Sequence, residues 1–175
     1  MHEKWFISDT HFFHENIIQF CGRPFANAEL MNECLVNNWN SVVGRNDFVY
    51  HLGDVFIKGT EKERAELIHS LNGRKRLIIG NHDYSIFKQH HVMTAFEKVM
   101  YWHGFKEENF TATHVPHILS KIRDGEFNVH GHIHNQLEDD PHYINVCVEH
   151  RDYTPVHITQ IVSEIKAAQY KLANT

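Results

Sequence analysis

The chain has 175 residues, a length that favours one compact domain with a sizeable buried core. A hydrophobic fraction of 42% excludes a disordered chain, and a formal net charge of -5 with no basic tail excludes a global electrostatic footprint for long nucleic acid. No segment approaches the roughly 18 apolar residues of a membrane span, and the first residues lack the apolar stretch of a secretion signal, so a cytoplasmic protein with no membrane partner is expected.

Residues 4–8 read as a first strand, apolar on both faces. Residues 14–21 suit a short helix, and Pro24 stops it from continuing because proline removes a donor and restricts its predecessor. Asn27 is placed to cap a longer helix running to about Val42, with Leu30, Cys34, Leu35 and Asn38 along one side. Residues 48–52 form a second strand, cut off by Gly53. Thr60 followed three residues later by Glu63 resembles a capping box, opening a helix to Leu71 that stops at Asn72-Gly73. Residues 76–79 are a third strand, ended by Gly80. Strand, helix and strand with a short crossover argue a parallel βαβ unit.

The second half is β-rich. Residues 97–102 and 109–113 suit antiparallel pairing across 103–108, and Tyr101 and Trp102 are read first as strand packing, with stacking on a base as the alternative for an exposed pair. Strands at 127–130, 143–146 and 155–158 come next. A closing helix from Thr159 to about Leu172 carries Ile161, Ile165, Ala168 and Leu172 on one stripe. No repeat or linker interrupts the chain, so residues 1–175 are expected to form a single layered α/β domain.

Seventeen histidines are spread along the chain with no tag-like run. The three cysteines, Cys21, Cys34 and Cys147, show no CxxC spacing, which argues against a zinc knuckle or a disulfide framework. Five short clusters stand out: Asp9-Thr10-His11, Gly53-Asp54, Gly80-Asn81-His82-Asp83, Thr113-His114 and Gly131-His132-Ile133-His134. Each lies at or just after an expected strand, and in open α/β sheets ligands bind outside the carboxyl ends of strands. His132 and His134 are two apart, so an extended segment points both to one face. A mixed oxygen and nitrogen set without thiolate suits manganese, iron, zinc or nickel and argues against calcium alone. A carboxylate can bridge two cations about 3.5–4 Å apart, which together clamp a phosphate. Singly, each residue has a plain structural reading: Asp9 and Asp54 as caps, Asn81 as a turn residue, His114 as a buried histidine. His117 competes with His114, which is preferred because it directly follows the strand. His51 is placed to support the site from behind.

In this order the five clusters resemble the blocks of the calcineurin-like metallophosphoesterases, over roughly residues 4 to 157. The resemblance implies an α/β fold of two packed mixed sheets flanked by helices. It implies a dinuclear phosphoesterase in which a metal-bridging hydroxide attacks in line. It places Asp9, His11 and His134 on one ion, Asn81, His114 and His132 on the second, and Asp54 on both. His82 would be the general acid, and Asp83 would orient its ring. The cofactors implied are two divalent transition-metal ions, manganese first, with iron, nickel or zinc as alternatives. The run from Ser8 to Ile18 with Arg23-Pro24-Phe25 is similar to small phosphoesterases of bacteria and phages, and sets His14, Asn16 and Arg23 near the substrate. Larger relatives hold phosphate with an arginine after the second block. Gly53-Asp54-Val55-Phe56-Ile57 has none, so phosphate contact falls to Arg23 or is weaker. A small phosphorylated or nucleotide substrate is expected, with phosphodiesterase first and phosphomonoesterase or protein phosphatase second; nucleic acid is not favoured. A non-catalytic scaffold resembling the retromer scaffold subunit ranks below, because the asparagine, the metal histidines and His82 are all present.

Overall fold

The computed structural model describes residues 2–118 and 125–174. Strands β1 (Lys4–Ile7), β2 (Phe48–His51), β3 (Arg74–Ile78) and β4 (Phe96–Met100) run parallel, and β9 (Val156–His157) joins β1 antiparallel, in the order β4-β3-β2-β1-β9. A second sheet, β5-β6-β7-β8, pairs β5 (Trp102–Phe105) antiparallel with β6 (Phe110–Thr113) and continues parallel through β7 (Phe127–His130) and β8 (Tyr143–Asn145). The fold is thus α/β, two mixed sheets with flanking helices.

Helix α1 spans Glu15–Phe20, and α2 spans Ala28–Val42, capped by the Asn27 side chain, which accepts from the Leu30 amide at 2.9 Å. The capping box forms at α3 (Glu61–Ser70): Glu63 accepts from the Thr60 amide while Thr60 accepts from the Glu63 amide. A short α4 (His90–Met93) and a long α5 (Ile158–Ala173) complete the helices.

Two apolar clusters lie on the two faces of β1 to β3 and explain the apolar residues at the carboxyl end of each face. Ile7, Val49 and Leu77 face the helices, against Met31, Leu35, Trp39 and Ile68. Their strand neighbours Phe6, Tyr50 and Ile78 face the second sheet, against Phe105, Phe110, Val129 and Ile144, with Ile161 and Ile165 of α5. Ser8 bridges Cys147 in parallel, joining the end of β1 to the end of β8, so the carboxyl ends of the two sheets meet.

Four expectations are corrected. The inward stripe of α2 is Met31, Leu35 and Trp39, while Leu30 is 48% exposed; the four-residue spacing ending on the bulky indole sets the helix rotation. Residues 97–102 are not one strand: β4 stays in the first sheet, the chain crosses at Tyr101, and β5 begins the second. Tyr101 and Trp102 at this crossing are 71% and 61% exposed rather than packed. Leu172 is exposed near the end of α5, beyond the reach of the sheets. Among the described residues, no helix is long and apolar enough to cross a membrane.

Candidate metal centre

Every expected ligand lies just beyond a strand. Asp9 and His11 follow β1, Asp54 follows β2, Asn81 follows β3, His114 follows β6, and His132 and His134 follow β7. The loops are unusual in backbone as well as in sequence. Asp9, His11, Asp54, His132 and His134 all have φ between 47° and 73°, the left-handed region. Aspartate and histidine enter it more readily than other non-glycine residues, yet each still stores strain, and such residues gather at functional sites. Close approach also requires glycine. A Cβ on Gly53, itself at φ 93°, would lie 2.5 Å from the Gly80 amide nitrogen, and one on Gly131 would overlap Ser8 Oγ.

The side chains form two groups. Asp9, His11 and His134 present ligand atoms within 4.8 Å of one another, and so do Asp54, His114 and His132. Asp54 Oδ2 lies between the groups, 3.6 Å from His11 Nε2 and 3.5 Å from His114 Nε2. Its other oxygen accepts from the His82 amide at 2.9 Å. Asp9 divides its labour likewise. Oδ2 accepts from Ser8 Oγ, the His132 amide and Cys147 Sγ, while Oδ1 is buried with no hydrogen-bond partner.

These residues fit divalent cations. Buried polar groups without partners are costly, and both ring nitrogens of His11 join Asp9 Oδ1 in that condition. His114 Nδ1 lies 2.7 Å from the Leu52 carbonyl, which only accepts, so Nδ1 carries the proton. Its Nε2 lone pair then faces Asn81 Oδ1 at 2.9 Å and Asp54 Oδ2 at 3.5 Å. Three such acceptors converging on one point suit a cation between them. Burial opposes ionisation of Asp9, but the neighbouring rings of His11, His114 and His134, wherever they carry a proton, hold its carboxyl well below the usual range.

His82 stands at the mouth, its side chain 53% exposed and Nε2 4.0 Å from Asp54 Oδ2. Asp83 does not orient that ring. Its buried carboxylate accepts from the amides of Asp54, Val55 and Gly80 at 2.8–2.9 Å, pinning the β2 and β3 loops together. A 3₁₀ turn beginning at Asp83 points the carboxylate inward while His82 points out. Arg23 is also reassigned. Its guanidinium is buried and donates to Glu149 and to the Asp9 and Thr10 carbonyls, so it cannot reach a substrate. His14 stays beside the site, its ring centre 5.7 Å from that of His11, whereas Asn16 is exposed and joins none of the site's hydrogen bonds among the described residues. His114 is buried in the cluster and His117 is exposed outside it. His51 is buried behind Thr10, with Nε2 3.0 Å from its hydroxyl, and burial drops its pKa to about 3.

Two residues escaped the sequence reading. Lys58, directly after Ile57, is exposed; burial first, then the charges of His11, Arg23 and His82, and last that of Lys58, lower the pKa of His14 to about 4. One step further along the run after Asp54 would have found it. Glu149 lies 3.2 Å from His134 Nδ1, in the short 3₁₀ turn Val148–His150 that follows β8.

The sequence profile described as calcineurin-like phosphoesterase matches residues 4–166. The uncharacterized protein MJ1445 of Methanocaldococcus jannaschii is 39% identical, over 95% of this chain and 93% of its own. The Gene 66 protein of Mycobacterium phage L5 is 30% identical, over 78% of this chain and 80% of its own. The crystal structure of the protein of unknown function AQ665 from Aquifex aeolicus superposes with a TM-score of 0.74 at 26% identity, covering 92% of this chain and 98% of that one. Profile, relatives and donor set agree: the chain belongs to the calcineurin-like phosphoesterases, whose reaction class is metal-dependent hydrolysis of phosphate esters.

Proposed function

We propose that the chain is a dinuclear phosphodiesterase acting on nucleotide-type substrates, with manganese as the first-ranked metal. The observation that carries the dinuclear part is Asp54 Oδ2, which sits within 3.6 Å of a histidine from each ligand group. When bound, the ions supply positive charge to the phosphoryl oxygens and acidify the attacking water. Asp54 serves both groups, and Asp9, His11 and His134 complete one as Asn81, His114 and His132 complete the other. His82, exposed at the mouth, gives its proton to the departing oxygen. Lys58, exposed on the loop after β2 and close enough for its charge to act on His14, is the side-chain cation offered to the phosphate.

A diester suits this balance of charge. Arg23 is consumed internally, which leaves Lys58 to meet the ester, and a diester carries one negative charge where a monoester carries up to two. A nucleotide suits the rim. Trp102 pairs in register with Thr113, next to His114, and its exposed ring with that of Tyr101 offers faces for a base. Stacking of this kind contributes about 1–3 kcal/mol per base.

The test is a panel of an aryl diester, an aryl monoester, cyclic nucleotides and single-stranded DNA, each with manganese, nickel or zinc. Diester and cyclic nucleotide turnover should exceed monoester turnover. Faster monoester hydrolysis would make the chain a phosphatase. No hydrolysis and no bound metal would leave a scaffold.

A further inference from the structure

We propose that Glu149 and Arg23 form a brace that fixes the tautomer and aim of His134, and thereby set the affinity of one metal group without touching substrate. The inference rests on the dinuclear reading and adds to it two positioning residues.

Arg23 Nε and Nη2 both donate to Glu149 Oε1, at 3.0 and 2.7 Å. Nη2 also donates to the Asp9 carbonyl at 2.7 Å, and Nη1 to the Thr10 carbonyl at 3.0 Å. The guanidinium therefore ties the loop carrying Asp9 and His11 to the carboxylate that faces His134. Glu149 Oε1 lies 3.2 Å from His134 Nδ1, and His134 Nε2 lies 3.8 Å from Asp9 Oδ1. A carboxylate only accepts, so it holds a proton on Nδ1 and makes Nε2 the nitrogen that faces the metal group. Asn145 adds a backbone anchor, donating to the His134 carbonyl at 3.0 Å. Arginine suits this place because one rigid fork binds carboxylate and carbonyls together. Both His134 and Asp9 adopt left-handed backbone, which needs outside support to persist.

A rival reading exists in the same atoms. Cys21, His134 and Glu149 present ligand atoms within 4.8 Å of one another, as a third cation site would. Glu149 Oε2 is buried without a hydrogen-bond partner, but the Arg23 guanidinium 2.7 Å from Oε1 argues against a cation there by like-charge repulsion. The brace therefore predicts two ions per chain and not three.

The experiment combines manganese titration calorimetry with nitrogen-detected imidazole NMR of the metal-free chain, on the wild type, Glu149→Gln and Arg23→Lys. The glutamine side chain keeps the shape of glutamate and can turn either its oxygen or its amide nitrogen to the ring. The wild type should show His134 protonated at Nδ1 and two bound ions. Glu149→Gln should mix the tautomers and weaken one of the two sites by roughly 10–100-fold, leaving the other unchanged. Arg23→Lys keeps the charge and loses the fork, and should give a smaller loss at the same site. Unchanged tautomer and affinity in folded Glu149→Gln would overturn the brace alone. A third ion in the wild type would overturn it in favour of the Cys21 site. A wild type that binds no manganese would sink the dinuclear reading and the brace with it.

Discussion

Asp83 and His82 are neighbours with opposite tasks, and substitution separates them. The Asp83 carboxylate satisfies three buried backbone amides. Asp83→Ala leaves all three without partners, at a cost on the order of 3 kcal/mol, measurable by urea unfolding of the metal-free chain. His82 makes no comparable contact, and its ring is half in solvent. His82→Ala should leave stability within about 0.5 kcal/mol. Its kcat should fall far more on an alkoxide leaving group than on an activated aryl one, and equal losses on both would remove His82 from the acid role. Lys58→Ala should lower kcat/KM by roughly tenfold, chiefly through KM, as expected for loss of an exposed charge-assisted contact. The convergence of the candidate ligands was legible because chemistry restricts their type and strand ends restrict their place. The tasks of Asp83 and Arg23 were not, because sequence shows a charge without showing what already occupies it.

At the scale of elements, caps and turns were the most readable features. Asn27, Thr60 with Glu63, and the glycines after β2 and β3 act locally, within a few residues. Helix rotation was less readable, since Leu30 and Met31 are equally apolar neighbours and only packing against the sheet chooses between them. Leu35→Ala should therefore cost about 2–5 kcal/mol, and Leu30→Ala no more than about 0.5 kcal/mol. The break at Tyr101 was illegible for another reason: β4 and β5 are continuous in composition, and only sheet assignment divides them. The α3–β3 junction carries a pH signature. Lys75 is buried, donating to the Leu71 and Gly73 carbonyls, and burial lowers its pKa from 10.5 to about 8. Between those values the unfolded chain keeps a proton that the folded chain has shed. Stability should thus rise as pH climbs from 8 towards 10.5, by an amount on the order of 2 kcal/mol. Lys75→Met should lack that rise; equal slopes would place the lysine in ordinary solvent.

At the scale of the molecule, each ligand group draws on both sheets. Asp9 and His11 come from the first and His134 from the second; Asp54 and Asn81 come from the first and His114 and His132 from the second. Bound ions would therefore clamp the sheets together at their carboxyl ends. Manganese at 100 times its dissociation constant should add about 2.7 kcal/mol per site to unfolding stability, and a chelator should remove it. The central claim is that one carboxylate, Asp54, serves both groups. Metal stoichiometry of Asp54→Asn against the wild type, by native mass spectrometry in manganese, tests it most directly. Two ions in the wild type and loss of both in the folded variant are expected. A variant that keeps two ions at wild-type affinity, or loses only the one beside His114, would contradict the shared role of Asp54.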